Sequence, residues 1–170
     1  MNNNELCFKP DVWVGIDPGI SKSEPGAAAL ILPNGHECFD WSNEGKVADN
    51  FRIWTSKYNI KIIAIERQWG RPGNSTQNAN KIMKNYGFWI GLSCAHGFYD
   101  LTIYPTAQEW QKAMLPYHKG VVPKEIYLKE ARVQFPNADL KFKKYNGRAA
   151  ALWIATYARR IDKINVSRIH

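Results

Sequence analysis

Two short runs of β-formers, each ending on a carboxylate, constrain this chain most: "VWVGID" closes at Asp17 and "IKIIAIE" at Glu66. Near-continuous apolar runs suit strands buried on both faces, as in the parallel part of an α/β sheet. Stability alone gives such a strand no reason to finish on an acid, because an unpaired carboxylate is costly to desolvate. If the two strands are neighbours, both side chains converge and repel unless a cation lies between them. Magnesium suits that place, since it takes oxygen ligands, needs few protein carboxylates and keeps positions for water and phosphate oxygens. A pair of such ions can clamp the attacking water and the leaving oxygen of a phosphodiester. Taken singly, the residues have blander readings: Asp-Pro-Gly is a common turn, and a strand-terminal Glu can reach solvent.

The remaining pattern supplies a frame for those strands. "GAAALILPNGHECFDW" places two apolar runs around Pro33-Asn34-Gly35, a hairpin signal. Three antiparallel strands are therefore expected first. Val47, Phe51 and Trp54 recur at helical spacing. After Glu66 comes a polar loop, "RQWGRPGNSTQ", then a long helix over roughly 75–97 with Ile82, Tyr86, Trp89 and Ile90 on one face. "LTIYP" reads as a short strand. Thr106 and Glu109 form a capping-box pattern at the head of the next helix. Pro123 suits the first turn of another helix, and an alanine-rich helix, "GRAAALWIATYARRIDKI", ends the series. The order β-β-β-α-β-α-β-α-α-α, without repeats or linkers, points to one α/β domain over 11–170 behind a loose arm at 1–10.

Composition narrows the partner. The chain of 170 residues carries a net charge of +8 and 45% hydrophobic residues. That is enough apolar matter for a core, and the charge favours a polyanion, nucleic acid first. No run approaches a membrane span of about 20 apolar residues. Three cysteines, an odd number without a C-x-x-C pair, fit a reducing compartment, and "MNNNELCFKP" lacks the marks of a signal peptide, so a cytoplasmic location is expected. No pair among His36, His96, His118 and His170 has metal-ligand spacing, and no Walker loop or dinucleotide fingerprint is present, so no nucleotide cofactor is expected.

Taken in order, "VGIDPG", "IIAIERQW", "YPTAQEWQKAML" and "NGRAAALWIATYA" resemble the RuvC-type Holliday junction resolvases, most of all their short phage and prophage relatives, over about 12 to 160. The resemblance implies an RNase H-like fold: a five-stranded mixed sheet, with three antiparallel strands and then parallel ones, flanked by helices. It implies a homodimer that binds branched DNA, a four-way junction above all, and cuts it with Mg2+, for which Mn2+ substitutes. By the same resemblance Asp17 and Glu66 are metal-binding carboxylates. Trp69 lies where the family carries an aromatic that stacks on an unpaired base, though it can equally pack beneath its loop. Arg67, Arg71 and Lys81 lie near enough for phosphate contact, and Lys112, Lys119, Lys124 and Lys129 flank the family's backbone-binding region, with Lys124 foremost.

The pattern breaks at the last helix. Phage relatives resemble "DGRA(D/E)AL" there, whereas this chain reads "NGRAAAL", with Asn146 and Ala150 where acids are expected. Three explanations stand: an engineered inactive site, a naturally reduced site that binds junctions without cutting them well, or a substitute acid, with Asp139 nearest. An actin-like ATPase, which also opens on an Asp-x-Gly strand, would need a second such strand and a larger second lobe.

Overall fold

The computed structural model describes residues 8–20, 25–68, 75–118 and 120–167. The expected arm at 1–10 falls mostly outside them. Of its described end, Lys9 donates to Thr55 O and the Pro10 carbonyl accepts from Asn59 N–H.

The element order matches the sequence pattern: β1 (Asp11–Ile20), β2 (Pro25–Leu32), β3 (Gly35–Asp40), α1 (Glu44–Lys57), β4 (Asn59–Ile65), α2 (Thr76–Ala95), β5 (Thr102–Ile103), α3 (Ala107–Met114), α4 (Lys124–Gln134) and α5 (Asn146–Ser167). The sheet runs β3-β2-β1-β4-β5. β1 pairs antiparallel with β2 and parallel with β4; β2–β3 is antiparallel and β4–β5 parallel. This is the mixed five-stranded α/β sheet of the RNase H-like fold. β5 is two residues long, shorter than "LTIYP" suggested, and Pro105 lies beyond it without an N–H for a ladder.

Each face of the sheet has its own core. Val12, Val14, Ile16, Ala28, Leu30, Ile63 and Ile65 pack under α1 and α2 with Val47, Phe51, Trp54 and Trp89. Ala27, Ala29, Ile62 and Ala64 pack under α3, α4 and α5. Within α2 the buried positions are Asn85, Trp89 and Ser93, while Ile82, Tyr86 and Ile90 are half-buried. The polar residues at 85 and 93 hid that stripe from a hydrophobic pattern search.

Small residues let α5 lie almost flat on the central strands. A Cβ at Gly15 would come 2.1 Å from Ala155 N and 2.3 Å from Ala151 O. One at Gly147 would come 2.2 Å from Pro25 O. Ala149, Ala150, Ala151, Ala155 and Ala158 are buried along the same helix. The alanine-rich composition of α5 is therefore a packing requirement.

Candidate functional site

The sequence reading closed the first strand at Asp17, whereas β1 runs on past an irregular step to Ile20; Glu66 directly follows β4. The two carboxylates come together because β4 carries one extra residue. Val12 pairs with Ile60, but Trp13 pairs with Ile62, so Lys61 is skipped. A one-residue shift moves every later side chain to the opposite face. Ile60 accordingly packs with Val12 on the α1–α2 side, and Ile62 packs on the α5 side. From there the ladder runs to Ile16 with Ile65, and the Glu66 N–H donates to Ile16 O at 2.9 Å. The next register position sets Glu66 beside Asp17, both on the face covered by α5.

Each acid is held from a different side. Asp17 Oδ1 accepts the Gly19 N–H at 3.1 Å, which tightens the irregular Pro18-Gly19 step inside β1, where the register with β2 shifts. Asn85 on α2 fastens the same step, its Nδ2 donating to Pro18 O and Gly19 O at 3.0 Å each. Glu66 Oε2 accepts the indole N–H of Trp110 at 3.1 Å, and Oε1 the Gln68 amide at 3.4 Å. Trp110 is 1% exposed. The capping box sets its helix: Thr106 Oγ1 accepts Glu109 N–H, and the Thr106 N–H donates to Glu109 Oε2 at 2.6 Å. That backbone hydrogen bond also holds the Glu109 carboxyl below its ordinary range.

The first turns of α5 form the third wall. Gly147 presses on the Pro25 carbonyl, and Gly26 on the carbonyl of Asp17, so the helix start and Asp17 share one corner. Asn146 and Ala150, one turn apart, are 2% and 3% exposed. The positions where acids were expected are thus buried and neutral in the first turns of α5. Asp139 does not replace them. Its carboxylate pairs with Arg148 Nη1 at 3.0 Å, while Arg148 grips Asp40 through Nε at 2.6 Å and Nη2 at 2.7 Å and lies 4.0 Å from the centre of the Tyr145 ring. Asp40 is two strands from Asp17, across Ala27. This clamp pins α5 to the β3 edge and pushes the Arg148 pKa up, chiefly through the hydrogen bonds to Asp40.

Among the described residues no three His, Cys, Asp or Glu side chains gather into a metal site. Two adjacent carboxylates nevertheless fit a hard divalent ion that takes its other ligands from water and phosphate, as magnesium does. They suit a set of two closely spaced ions less well, because little negative charge offsets the ions' own.

The other expected contacts divide. Trp69, Arg71 and Lys119 lie outside the described residues. Arg67 is half-buried and works as a strut: its N–H donates to Pro105 O, and Nε and Nη2 to Tyr104 O at 3.1 and 2.9 Å. Lys81, Lys112, Lys124 and Lys129 are exposed, on α2, α3 and α4. Missed in the sequence reading was "KFKKY", 141–145, directly before α5. There Phe142 is 58% exposed and Lys144 Nζ lies 5.7 and 5.1 Å from the Phe142 and Tyr145 ring centres. Alternating basic and aromatic residues are the signal that would have found it.

No protein-family model and no curated protein matches the chain. Solved structures do. The fold they share with this chain is the mixed five-stranded α/β sheet with flanking helices, the RNase H-like architecture. The chain resembles Thermus thermophilus RuvC in complex with a Holliday junction substrate at TM-score 0.63 and 17% identity, covering 89% of this chain and 96% of that one. A second RuvC structure from the same organism matches at TM-score 0.51 and 18% identity, covering 88% and 96%. At such identities the likeness speaks for the fold. Among the described residues no helix is long and apolar enough to cross a membrane.

Proposed function

We propose that this chain is a structure-selective DNA-binding domain of the RuvC type that engages four-way junctions as a homodimer. In this reading Asp17 and Glu66 hold Mg2+ or Mn2+ for phosphodiester hydrolysis, leaving a 5′-phosphate and a 3′-hydroxyl. The observation that carries it is the side-by-side placement of the two acids on adjacent parallel strands, Asp17 within β1 and Glu66 just after β4, under α5, on a fold shared with a junction-bound RuvC. When bound, the ion would supply Lewis-acid activation of water and charge neutralisation at the phosphate. The protein's own part is to orient Glu66 through Trp110 and Asp17 through the step that Asn85 fastens. Lys112, Lys124 and the 141–145 segment offer phosphate and base contacts, and Trp69 would probe the crossover. The outer side of α2 suits a twofold contact, with Met83 51% exposed and open space beside Gly87 and Gly91.

A second reading has its own observation. Asn146 and Ala150 occupy the α5 corner without charge, which favours a protein that binds junctions and does not cut them.

One paired assay separates the readings. Binding to a synthetic four-way junction is measured by gel shift in EDTA, and cleavage in Mg2+, for the native chain, Asp17→Asn and Asn146→Asp. Cleavage that Asp17→Asn abolishes while binding persists supports the nuclease. Cutting only after Asn146→Asp identifies a site disabled at 146. Binding without cutting by any form supports the binding protein, and equal affinity for junction and linear duplex rejects both.

A further inference from the structure

The five residues before α5, "KFKKY" at 141–145, are fixed to the fold from three sides. Arg132 on α4 donates through Nε to Leu140 O at 2.8 Å and through Nη2 to Lys141 O at 2.9 Å. Lys143 pairs at 3.0 Å with Glu125 in the first turn of α4. Tyr145 is half-buried against the core on the α5 side, and Arg148, itself gripped by Asp40, lies 4.0 Å from its ring centre. A single 3-10 turn over Lys143–Tyr145 closes the segment, with the Tyr145 N–H donating to Phe142 O at 3.0 Å.

Held this firmly, the segment still turns an aromatic ring outward. Phe142 is 58% exposed. Its ring meets Tyr145 edge to face at 5.8 Å, and Lys144 Nζ lies against both rings. Packing does not explain the arrangement: an exposed ring gains little from burial, and three lysines in five residues repel one another. A polyanion that carries flat, apolar rings answers both features, since phosphates neutralise the lysines and a base covers Phe142. Just upstream, a shallow depression of about 660 Å³ between Arg132, Pro136, Asp139 and Lys141 continues the surface, of a size that ligand-binding clefts have.

We propose that 141–145 is a platform for single-stranded DNA, on which one unpaired base stacks on Phe142 while Lys141 and Lys144 contact the flanking phosphates. A duplex keeps its base faces inside the stack, so only an unpaired base can use the ring. The choice of DNA rests on the nucleic-acid reading above, since RNA offers the same rings and phosphates. The Lys143–Glu125 pair sets the platform against the head of α4, where Lys124 stands, so it extends the basic surface proposed above for the DNA backbone. The three ties on the segment fix the ring in place before a strand arrives, which lowers the ordering cost of binding.

The test is fluorescence anisotropy of the full chain with labelled oligothymidylate, oligouridylate and a DNA duplex of equal length, all in EDTA. Phe142→Leu keeps an apolar side chain and removes the aromatic face. It should weaken oligothymidylate binding about tenfold and duplex binding by less than about twofold. Phe142→Trp should bind oligothymidylate at least as tightly as the native chain. Lys144→Gln should lower the salt slope for oligothymidylate by about 0.7, a slope that Phe142→Leu should leave unchanged. Equal losses on single strand and duplex, or an unaffected oligothymidylate affinity in Phe142→Leu, would overturn the platform. Tighter binding of oligouridylate would overturn the choice of DNA. Junction preference is scored separately by gel shift. Its absence with the Phe142 effect intact rejects the resolvase reading and keeps the platform; the reverse rejects the platform alone.

Discussion

The indole of Trp110 holds the Glu66 carboxylate, with Nε1 donating to Oε2 at 3.1 Å from a residue that is 1% exposed. A carboxylate fixed this way keeps its remaining lone pairs aimed and loses little entropy when an ion arrives. Such supporting partners are commonly worth about 10- to 100-fold in metal affinity. Trp110→Phe should therefore weaken Mn2+ binding at least tenfold by calorimetry. The fold should survive, with a melting temperature lower by several degrees, since about 1 kcal/mol shifts a domain of this size by about 2–4 °C. An unchanged Mn2+ affinity would make Trp110 a packing residue only.

Asn146 offers a test that needs no substrate. A carboxylate at a site 2% exposed is costly without a partner. Asn146→Asp should melt about 5 °C below the native chain in EDTA, equivalent to about 2 kcal/mol. Saturating Mg2+ should restore it, because a ligand at 100 times its Kd returns about 2.7 kcal/mol. A variant whose melting ignores Mg2+ would show that position 146 does not face the ion.

Much of this was legible in the sequence, and what was not has physical causes. The order of ten elements and the capping box at Thr106 follow from periodicity and turn chemistry, and the two acids at the ends of apolar runs stood out as a pair if their strands were neighbours. The skipped Lys61 has no such signal. "IKIIAIE" is almost continuously apolar, so nothing in the letters says that Ile60 and Ile62 face opposite sides. Nor does an asparagine in the middle of a helix disclose that its amide ties down a strand irregularity 67 residues away. The use of Arg67 as a strut, and of Asp139 by Arg148, depends on which backbone or charge the fold brings near. The neutral "NGRAAAL" stretch was legible, and its burial at the Asp17 corner gives it consequence.

Gly15 tests whether α5 is placed by shape alone. A methyl group there would sit 2.1 Å from a backbone nitrogen of α5, where no side chain can swing aside. Gly15→Ala should cost about 3 kcal/mol or more, the upper range for overpacked cores. Chemical denaturation measures it, and a loss under about 1 kcal/mol would mean that the helix slides readily over the sheet.

If Lys112 and Lys124 meet the DNA backbone, each neutral substitution should remove one phosphate contact. The slope of log K against log salt should then fall in magnitude by about 0.9 for Lys112→Gln or Lys124→Gln, and by about 1.8 for both together. The junction-to-duplex preference should change little, because phosphate contacts carry no sequence or branch information of their own. An unaltered salt slope for both variants would move the DNA path elsewhere, the 141–145 segment being the next surface to substitute.

The α1 side of the fold carries a pH signature. Glu37 on β3 receives the Tyr58 hydroxyl on Oε1 at 2.5 Å and the Trp54 indole on Oε2 at 2.9 Å, tying the end of α1 to the sheet. The hydrogen bond to Glu37, with burial and the carboxylate's charge adding to it, pushes the Tyr58 pKa up to about 12. In the unfolded chain a tyrosine titrates near 10. The folded form thus keeps a proton that the unfolded form gives up, so this contribution is complete below about pH 10 and fades as the pH rises from about 10 to 12. Stability measured by urea denaturation should fall over that interval in the native chain. In Tyr58→Phe the fall should be shallower, starting from a lower value at neutral pH. A variant that parallels the native chain through the whole interval would assign the alkaline loss to other groups.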